Sequence, residues 1–123
     1  LYRHPQGHGL RVEGGGMMAT SQSYHDYILD QFRLAEGITT RKMMGEYVLY
    51  VQGRVMGGLY DDRLMVKPTA AARAMLPDAP EEPPYPGAKP MLVAPPDDPE
   101  LLAALAERMV PELEVPRKKK VRR

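Results

Sequence analysis

Apolar positions are densest between Arg41 and Lys67, where runs from Tyr47 to Val51 and from Val55 to Tyr60 are separated by Gln52-Gly53. Two such runs joined by a Gly-containing turn predict a β-hairpin. A second turn is expected at Asp61-Asp62, because Asp tolerates the left-handed conformation, and it returns the chain into a third strand over 63–67. The β-branched Ile38, Thr39 and Thr40 extend the meander backwards and predict a strand over 39–43. Within 47–51, Tyr47, Leu49 and Val51 share one face and Val48 and Tyr50 the other. Both faces are apolar, which leaves two options open. Either helices cover one face and a partner chain the other, or Tyr50 is half exposed with its hydroxyl in water. Gly57-Gly58 leaves no side chain to pack inside a strand and marks a bulge or a close approach, by a packed helix or by a ligand.

Helical periodicity flanks this meander. Ser23-Tyr24-His25-Asp26 reads as a helix start, with Tyr27, Ile28, Phe32 and Ala35 turned to the sheet, Asp30, Gln31 and Arg33 turned to solvent, and Gly37 as the stop. Thr69 to Leu76 predicts a short Ala-rich helix capped by Thr69. The six prolines between Pro77 and Pro90 argue against regular structure there. A short strand is expected over 91–94. Asp97-Asp98-Pro99-Glu100 then opens a last helix, with Leu101, Leu102, Leu105, Ala106 and Met109 as its apolar stripe, running to about Val110 and ended by Pro111. The fold class is therefore α+β: an antiparallel sheet of four to five strands packed by an N-terminal and a C-terminal helix.

The residues Arg41-Lys42-Met43-Met44-Gly45-Glu46-Tyr47-Val48-Leu49-Tyr50 carry a further signal. So do the following Gly turn, the small-residue strand, Asp61-Asp62-Arg63 and the apolar strand ending in Lys67. Together with Pro84 to Leu92 and the helix after it, this pattern resembles the TfoX/Sxy N-terminal domain family over nearly all of Ser21 to Val115. The resemblance implies the α+β fold, a bacterial source and an association with regulation of genetic competence. In longer members of that family the domain accompanies a separate C-terminal domain, and members made of this domain alone mostly lack an established biochemistry.

A chain of 123 residues accommodates one domain. The domain is expected over 17–115. Residues 1–16, rich in Gly, Arg and His, are expected to be an arm outside the fold, either appended ahead of a natural start at Met17 or Met18 or disordered. Residues 116–123 are expected to be a disordered basic tail. The net charge of +1 conceals a division. The tail carries six basic residues and no acid, whereas Met17 to Val115 holds nine basic and fifteen acidic residues, a net of −6. A positive folded surface for nucleic acid is not expected, and the tail residues Lys118, Lys119, Lys120, Arg122 and Arg123 are the candidates for any phosphate contact. The absence of cysteine excludes disulfides, thiolate metal sites and Cys nucleophiles. No apolar run reaches the roughly 20 residues needed to span a bilayer, and a cytoplasmic location without membrane contact is expected.

Candidates for catalysis are few. His25 is the only histidine after residue 16 and reads as a solvated helix residue, because a catalytic His needs an orienting partner and a pocket. Asp61-Asp62 lacks the further oxygens a hard cation demands and reads as a turn. Arg41, Lys42, Arg54 and Arg63 interleave with tyrosines in a pattern that can stack bases. The acids Glu36, Glu46, Asp61 and Asp62 stand in the same neighbourhood, and ion-paired sheet ends are the simpler reading. The sequence thus points to a non-catalytic regulatory or interaction module without cofactor or metal. Tyr47, Tyr50, Gly57, Gly58 and Tyr60 mark its candidate interaction or ligand surface. A homodimer is expected from the doubly apolar strand, with a protein partner as a further expectation. The alternatives are a small-molecule sensor, with a pocket between the Gly57-Gly58 strand and a helix, and weak nucleic-acid binding through the tail.

Overall fold

The computed structural model describes residues 19–115. Helix α1 spans Gln22–Gln31 and is followed by four antiparallel strands: β1 Ile38–Met43, β2 Glu46–Val51, β3 Arg54–Leu59 and β4 Leu64–Val66. Helix α2 (Ala70–Met75), strands β5 (Glu81–Glu82) and β6 (Met91–Val93), helix α3 (Pro99–Met109) and a 3-10 turn over Val110–Glu112 complete the order. The strands form one antiparallel sheet in the order β1-β2-β3-β4-β6-β5. The α+β class is as the sequence implies, with six strands instead of four or five.

Register comes from three successive two-residue turns. Met44-Gly45, Gln52-Gly53 and Asp61-Asp62 each place both residues at positive φ. This is the geometry whose twist matches that of paired strands. The turns lock Met43 opposite Glu46 and Val51 opposite Arg54. At the third, Tyr60 and Arg63 exchange two backbone hydrogen bonds of 3.0 Å.

Strict alternation along β2 then sorts the side chains. Tyr47, Leu49 and Val51 are buried and join the core with Ile28 and Phe32 of the N-terminal helical segment and Leu102, Leu105 and Met109 of α3, while Val48 and Tyr50 on the opposite face are half-buried. Helix α1 starts two residues earlier than the sequence suggests. Ser21, not Ser23, is the cap, and its Oγ accepts from the Tyr24 backbone N–H at 3.1 Å. Capping from Ser21 puts Tyr24 in the core and leaves Tyr27 half-buried, its hydroxyl on the Asp97 carboxylate. Thr69 and Asp98 cap α2 and α3 as expected, accepting from Ala72 and Leu101.

The second face of the sheet is covered by the chain itself over one half. Val48, Gly58, Met65 and Val93 fall on one transverse row of that face. Met65 is 0 % exposed although it lies outside the cluster between sheet and helices. On this face the proline-rich segment walls a groove with β3 and sets its Tyr85 ring against Tyr60, and it holds regular structure, contrary to the expectation that its six prolines exclude it. Glu81-Glu82, between Pro80 and Pro83, forms the edge strand β5 on β6, a place where neighbouring prolines cost no central ladder bond. Arg63 fastens the segment: Nε donates to the Tyr60 carbonyl at 3.1 Å, Nη1 to Glu82 at 2.7 Å and Nη2 to the Pro84 carbonyl at 3.1 Å.

The paired glycines have a specific cause. Between Leu49 and Tyr50 the β2–β3 register shifts, leaving Met56 as an extra residue on β3, a bulge that turns its side chain into the core. The close approach is made by a strand, not by a helix or ligand. A Cβ on Gly57 would stand 2.0 Å from the Met65 carbonyl oxygen, and one on Gly58 would stand 2.6 Å from the Tyr60 ring. Gly57→Ala is expected to destabilise the domain by about 3 kcal/mol, as overpacking against backbone that cannot retreat. Gly87, where a Cβ meets nothing within 4 Å but φ is +89°, is expected to cost only about 1 kcal/mol as Ala. Urea unfolding of both variants checks this, and equal losses would contradict the close approach at Gly57.

Candidate functional site

At the end of the meander where β1 meets β2, Thr20 ties the chain entering α1 to two turns. Its backbone N–H donates to Gly45 O at 3.0 Å. Its hydroxyl lies 2.8 Å from Glu46 Oε1 and 3.1 Å from Leu59 O, its one proton serving either, and accepts from the Asp62 N–H at 3.2 Å. Ser21 N donates to Asp62 Oδ1 at 2.9 Å. Both bonds to Glu46 converge on Oε1, the second coming from the Asp61 N–H at 3.2 Å. Oε2 takes no hydrogen bond from the described residues.

Glu46 lies on the sheet face away from the helices, and burial pushes its carboxyl above the usual 4.5. The Thr20 hydroxyl and the Asp61 N–H pull it back, and the charges of Asp61 and Asp62 add to the rise. Tyr60 beside it is raised as well, first by burial and then by Tyr85 and Glu46. The Tyr60 and Tyr85 rings meet edge to face at 6.1 Å. This pair divides two grooves. One of about 470 Å³ is lined by Met43, Met44, Glu46, Val48, Tyr60 and Tyr85. The other, of about 460 Å³, runs between β3 and the proline-rich segment past Val55, Gly57 and Lys67. Met44 is 92 % exposed, Tyr85 54 % and Met43 46 %. Met44 also occupies a left-handed turn position, φ 51°, which usually goes to Asn, Asp or Gly. Neither turn chemistry nor burial accounts for a methionine there.

The structure separates the residues singled out from sequence. Tyr60 lines both grooves. Tyr50 is half-buried on the same face, and Gly57 and Gly58 are buried in the sheet. Tyr47 faces the helices, where its ring stacks on His25 with centroids 4.0 Å apart. His25 is correspondingly not a solvated residue. Its side chain is 12 % exposed, with Nδ1 3.0 Å from Asp26 and Nε2 2.9 Å from the Thr40 hydroxyl. The order Asp26, His25, Thr40 is that of a base-activated hydroxyl, but neither His25 nor Thr40 lines either groove. Of the four basic residues expected to form ion-paired sheet ends, only Arg63 has an ion pair among the described residues, and its partner is Glu82, outside the acids Glu36, Glu46, Asp61 and Asp62 expected from sequence. Arg54 instead donates to the Val110 and Leu113 carbonyls at the end of α3, at 2.7 and 3.5 Å. Arg41 and Lys42 have no ion pair among the described residues. Among those residues no group of three His, Asp or Glu side chains could hold a metal ion, and no helix is long and apolar enough to cross a membrane. Lys118, Lys119, Lys120, Arg122 and Arg123, and the arm 1–16, lie outside the described residues.

Sequence missed Met43, Met44, Glu46 and Tyr85 as groove residues. The local signal available in sequence is the pair Met44-Gly45, which puts an apolar side chain at a turn position usually held by Asn, Asp or Gly.

The profile described as the TfoX N-terminal domain matches residues 30–112, from the end of α1 through α3. The chain belongs to the TfoX N-terminal domain family. A protein of Spirochaeta aurantia, named "Uncharacterized 12.7 kDa protein in trpE 5'region", is 42% identical over 77 residues, covering 63% of this chain and 67% of that protein. No solved structure matches. In this TfoX N-terminal domain the matched region includes both grooves and the whole sheet, whereas Thr20 and Ser21, which fasten Glu46 and Asp62, precede it.

The raised carboxyl sets a sign for pH. A group that holds its proton more tightly when folded favours the fold at low pH, and that contribution is lost as pH rises through the folded value. For Glu46 the loss begins near 4.5 and runs upward. Glu46→Gln keeps an acceptor for Thr20 and Asp61 and removes the charge. At neutral pH and high dilution it is expected to match or slightly exceed the parent in stability, with a flatter pH dependence above 4.5. Thermal unfolding across pH checks this, and a large loss at neutral pH would contradict it.

Proposed function

We propose that this TfoX N-terminal domain is a small non-catalytic regulatory or interaction module that works as a homodimer, serving regulation of competence as its family association suggests. The observation that carries the reading is the exposure of Met43, Met44 and Tyr85 around one groove, on a sheet face whose other half the chain covers with its own proline-rich segment. Exposed apolar side chains gathered in one place mark contact surfaces more often than scattered ones do. Methionine adapts to a partner without a single required shape. Strand β1 adds an open edge beside them, which favours association over solitary existence in water.

A second reading, a small-molecule sensor, draws on the two grooves flanking Tyr60 and Tyr85. It differs from the pocket expected from sequence, because the walls are strand and proline-rich segment, not strand and helix.

The expected behaviour is a monomer–dimer equilibrium visible by sedimentation between low and high micromolar concentration. Met44→Ser, which touches no core residue, is expected to weaken dimerisation by about tenfold while leaving the melting temperature of the dilute monomer unchanged. A monomer at all concentrations overturns the homodimer. A ligand that raises the melting temperature at constant mass would favour the sensor.

A further inference from the structure

The register of β1 on β2 builds a four-residue cell on the open half of the sheet. Met43 stands opposite Glu46 on one rung, and Arg41 opposite Val48 two residues along. All four lie on the face away from the helices. The diagonals of this cell differ in kind. One joins Met43 to Val48, both apolar, and the other joins Arg41 to Glu46, of opposite charge.

We infer that this cell is a two-fold contact between two copies of the chain, Met43 and Val48 meeting their own counterparts along the axis and Arg41 of each copy pairing with Glu46 of the other. The inference rests on the reading of the domain as a homodimeric module and specifies its interface.

Three observations support it. First, the charges are available. Arg41 is exposed and makes no side-chain hydrogen bond or ion pair among the described residues. Glu46 is anchored through Oε1 alone, which leaves Oε2 for an incoming guanidinium. Asp61 and Asp62 beside Glu46 add negative charge and so favour a cation there.

Second, the geometry closes on itself. An interface about a two-fold axis must be self-complementary, with residue i on j and j on i. Ideal spacings are about 4.8 Å between strands and about 6.8 Å between alternate residues along one. With an axis along the apolar diagonal, Arg41 then projects within roughly 3 Å of the partner's Glu46, well inside the reach of an arginine side chain. The same axis crosses the two sets of strands at roughly 70°, close to the orthogonal class of sheet packing, where contact concentrates at a corner.

Third, only a corner is open. Met65 in the far half of the face is fully buried and the proline-rich segment lies along β3 there, while Val48 and Tyr50 stay half-buried and Met43 and Met44 project. Pairing with Arg41 would also relieve Glu46, whose carboxyl burial and neighbouring acids hold above its ordinary range.

The test uses the full chain with Arg41→Glu and Glu46→Lys. Each variant alone places like charges across both contacts and is expected to self-associate at least about tenfold more weakly than the parent. Mixed in equal amounts they place Glu against Lys at one contact and Arg against Glu at the other. A 1:1 heterodimer is expected by sedimentation or native mass spectrometry. The Arg41 side chain is exposed and bonds nothing among the described residues, so Arg41→Glu is expected to leave folding intact. Glu46→Gln, which keeps the Thr20 and Asp61 bonds, is the second probe, expected to weaken the dimer several-fold should Glu46→Lys fail to fold. Variants that dimerise like the parent, or a foldable pair that stays monomeric when mixed, overturn this interface while leaving the homodimer standing. A parent that never dimerises overturns both.

Discussion

The turns Met44-Gly45, Gln52-Gly53 and Asp61-Asp62 constrain everything else in this domain. Each connects its strands with two residues in the left-handed conformation, and each therefore fixes the pairing register without slack. A slip of one residue would send Leu49 and Val51 to the outer face and Val48 and Tyr50 into the core. Because three such turns follow in succession, the allocation of side chains to faces propagates from β1 to β4. The bulge at Met56 is the one irregularity, and β4 lies close enough at Gly57 to exclude any side chain there.

The two faces produced by that register meet different fates. The helix-side face is closed by α1 and α3 through a continuous core. The other face is divided by Arg63, which is held by the Tyr60 carbonyl and fastens the proline-rich segment through two donated bonds, to Glu82 and to the Pro84 carbonyl. What remains open lies over β1 and β2. There the chain exposes thioethers and a tyrosine ring, keeps Glu46 fastened by one oxygen, and gives the Arg41 side chain no ion pair among the described residues. A surface with these properties suits contact better than chemistry. The Asp26–His25–Thr40 arrangement lies on the opposite side of β1 and β2, packed under Tyr47, where it joins α1 to the sheet edge.

The strands, the last helix and its Asp98 cap were legible in sequence because their signals are local: alternation over five residues, a Gly or Asp pair at each turn, Pro in the first helical turn. The misreadings have long-range causes. Ser21 wins the cap from Ser23 while Thr20 and Ser21 are held by Glu46 and Asp62, more than twenty residues away in sequence. His25 is drawn from solvent by Tyr47 and Thr40. The edge strand Glu81-Glu82 needs β6 to exist at all. As for the candidate site, Tyr60 is legible in sequence, but Tyr47 is not separable from it there, because five alternating residues do not announce which face the helices cover. Apart from the Met44-Gly45 pair, nothing in the sequence marks Met43 and Met44 as exposed, and the pairing of Arg41 with Val48 that defines the contact cell follows only from register.

The central claim is that one face of this sheet is closed by the chain over one half and by a second copy over the other. Solvent paramagnetic relaxation of the methionine methyl groups, followed by NMR as protein concentration is raised, tests it most directly. The account predicts that Met65 and Met56 are shielded at every concentration, and that Met43 and Met44 are strongly broadened in dilute protein and become shielded as dimer forms. Broadening of Met65 in dilute protein, or Met43 and Met44 left equally accessible once the mass has doubled, would contradict it.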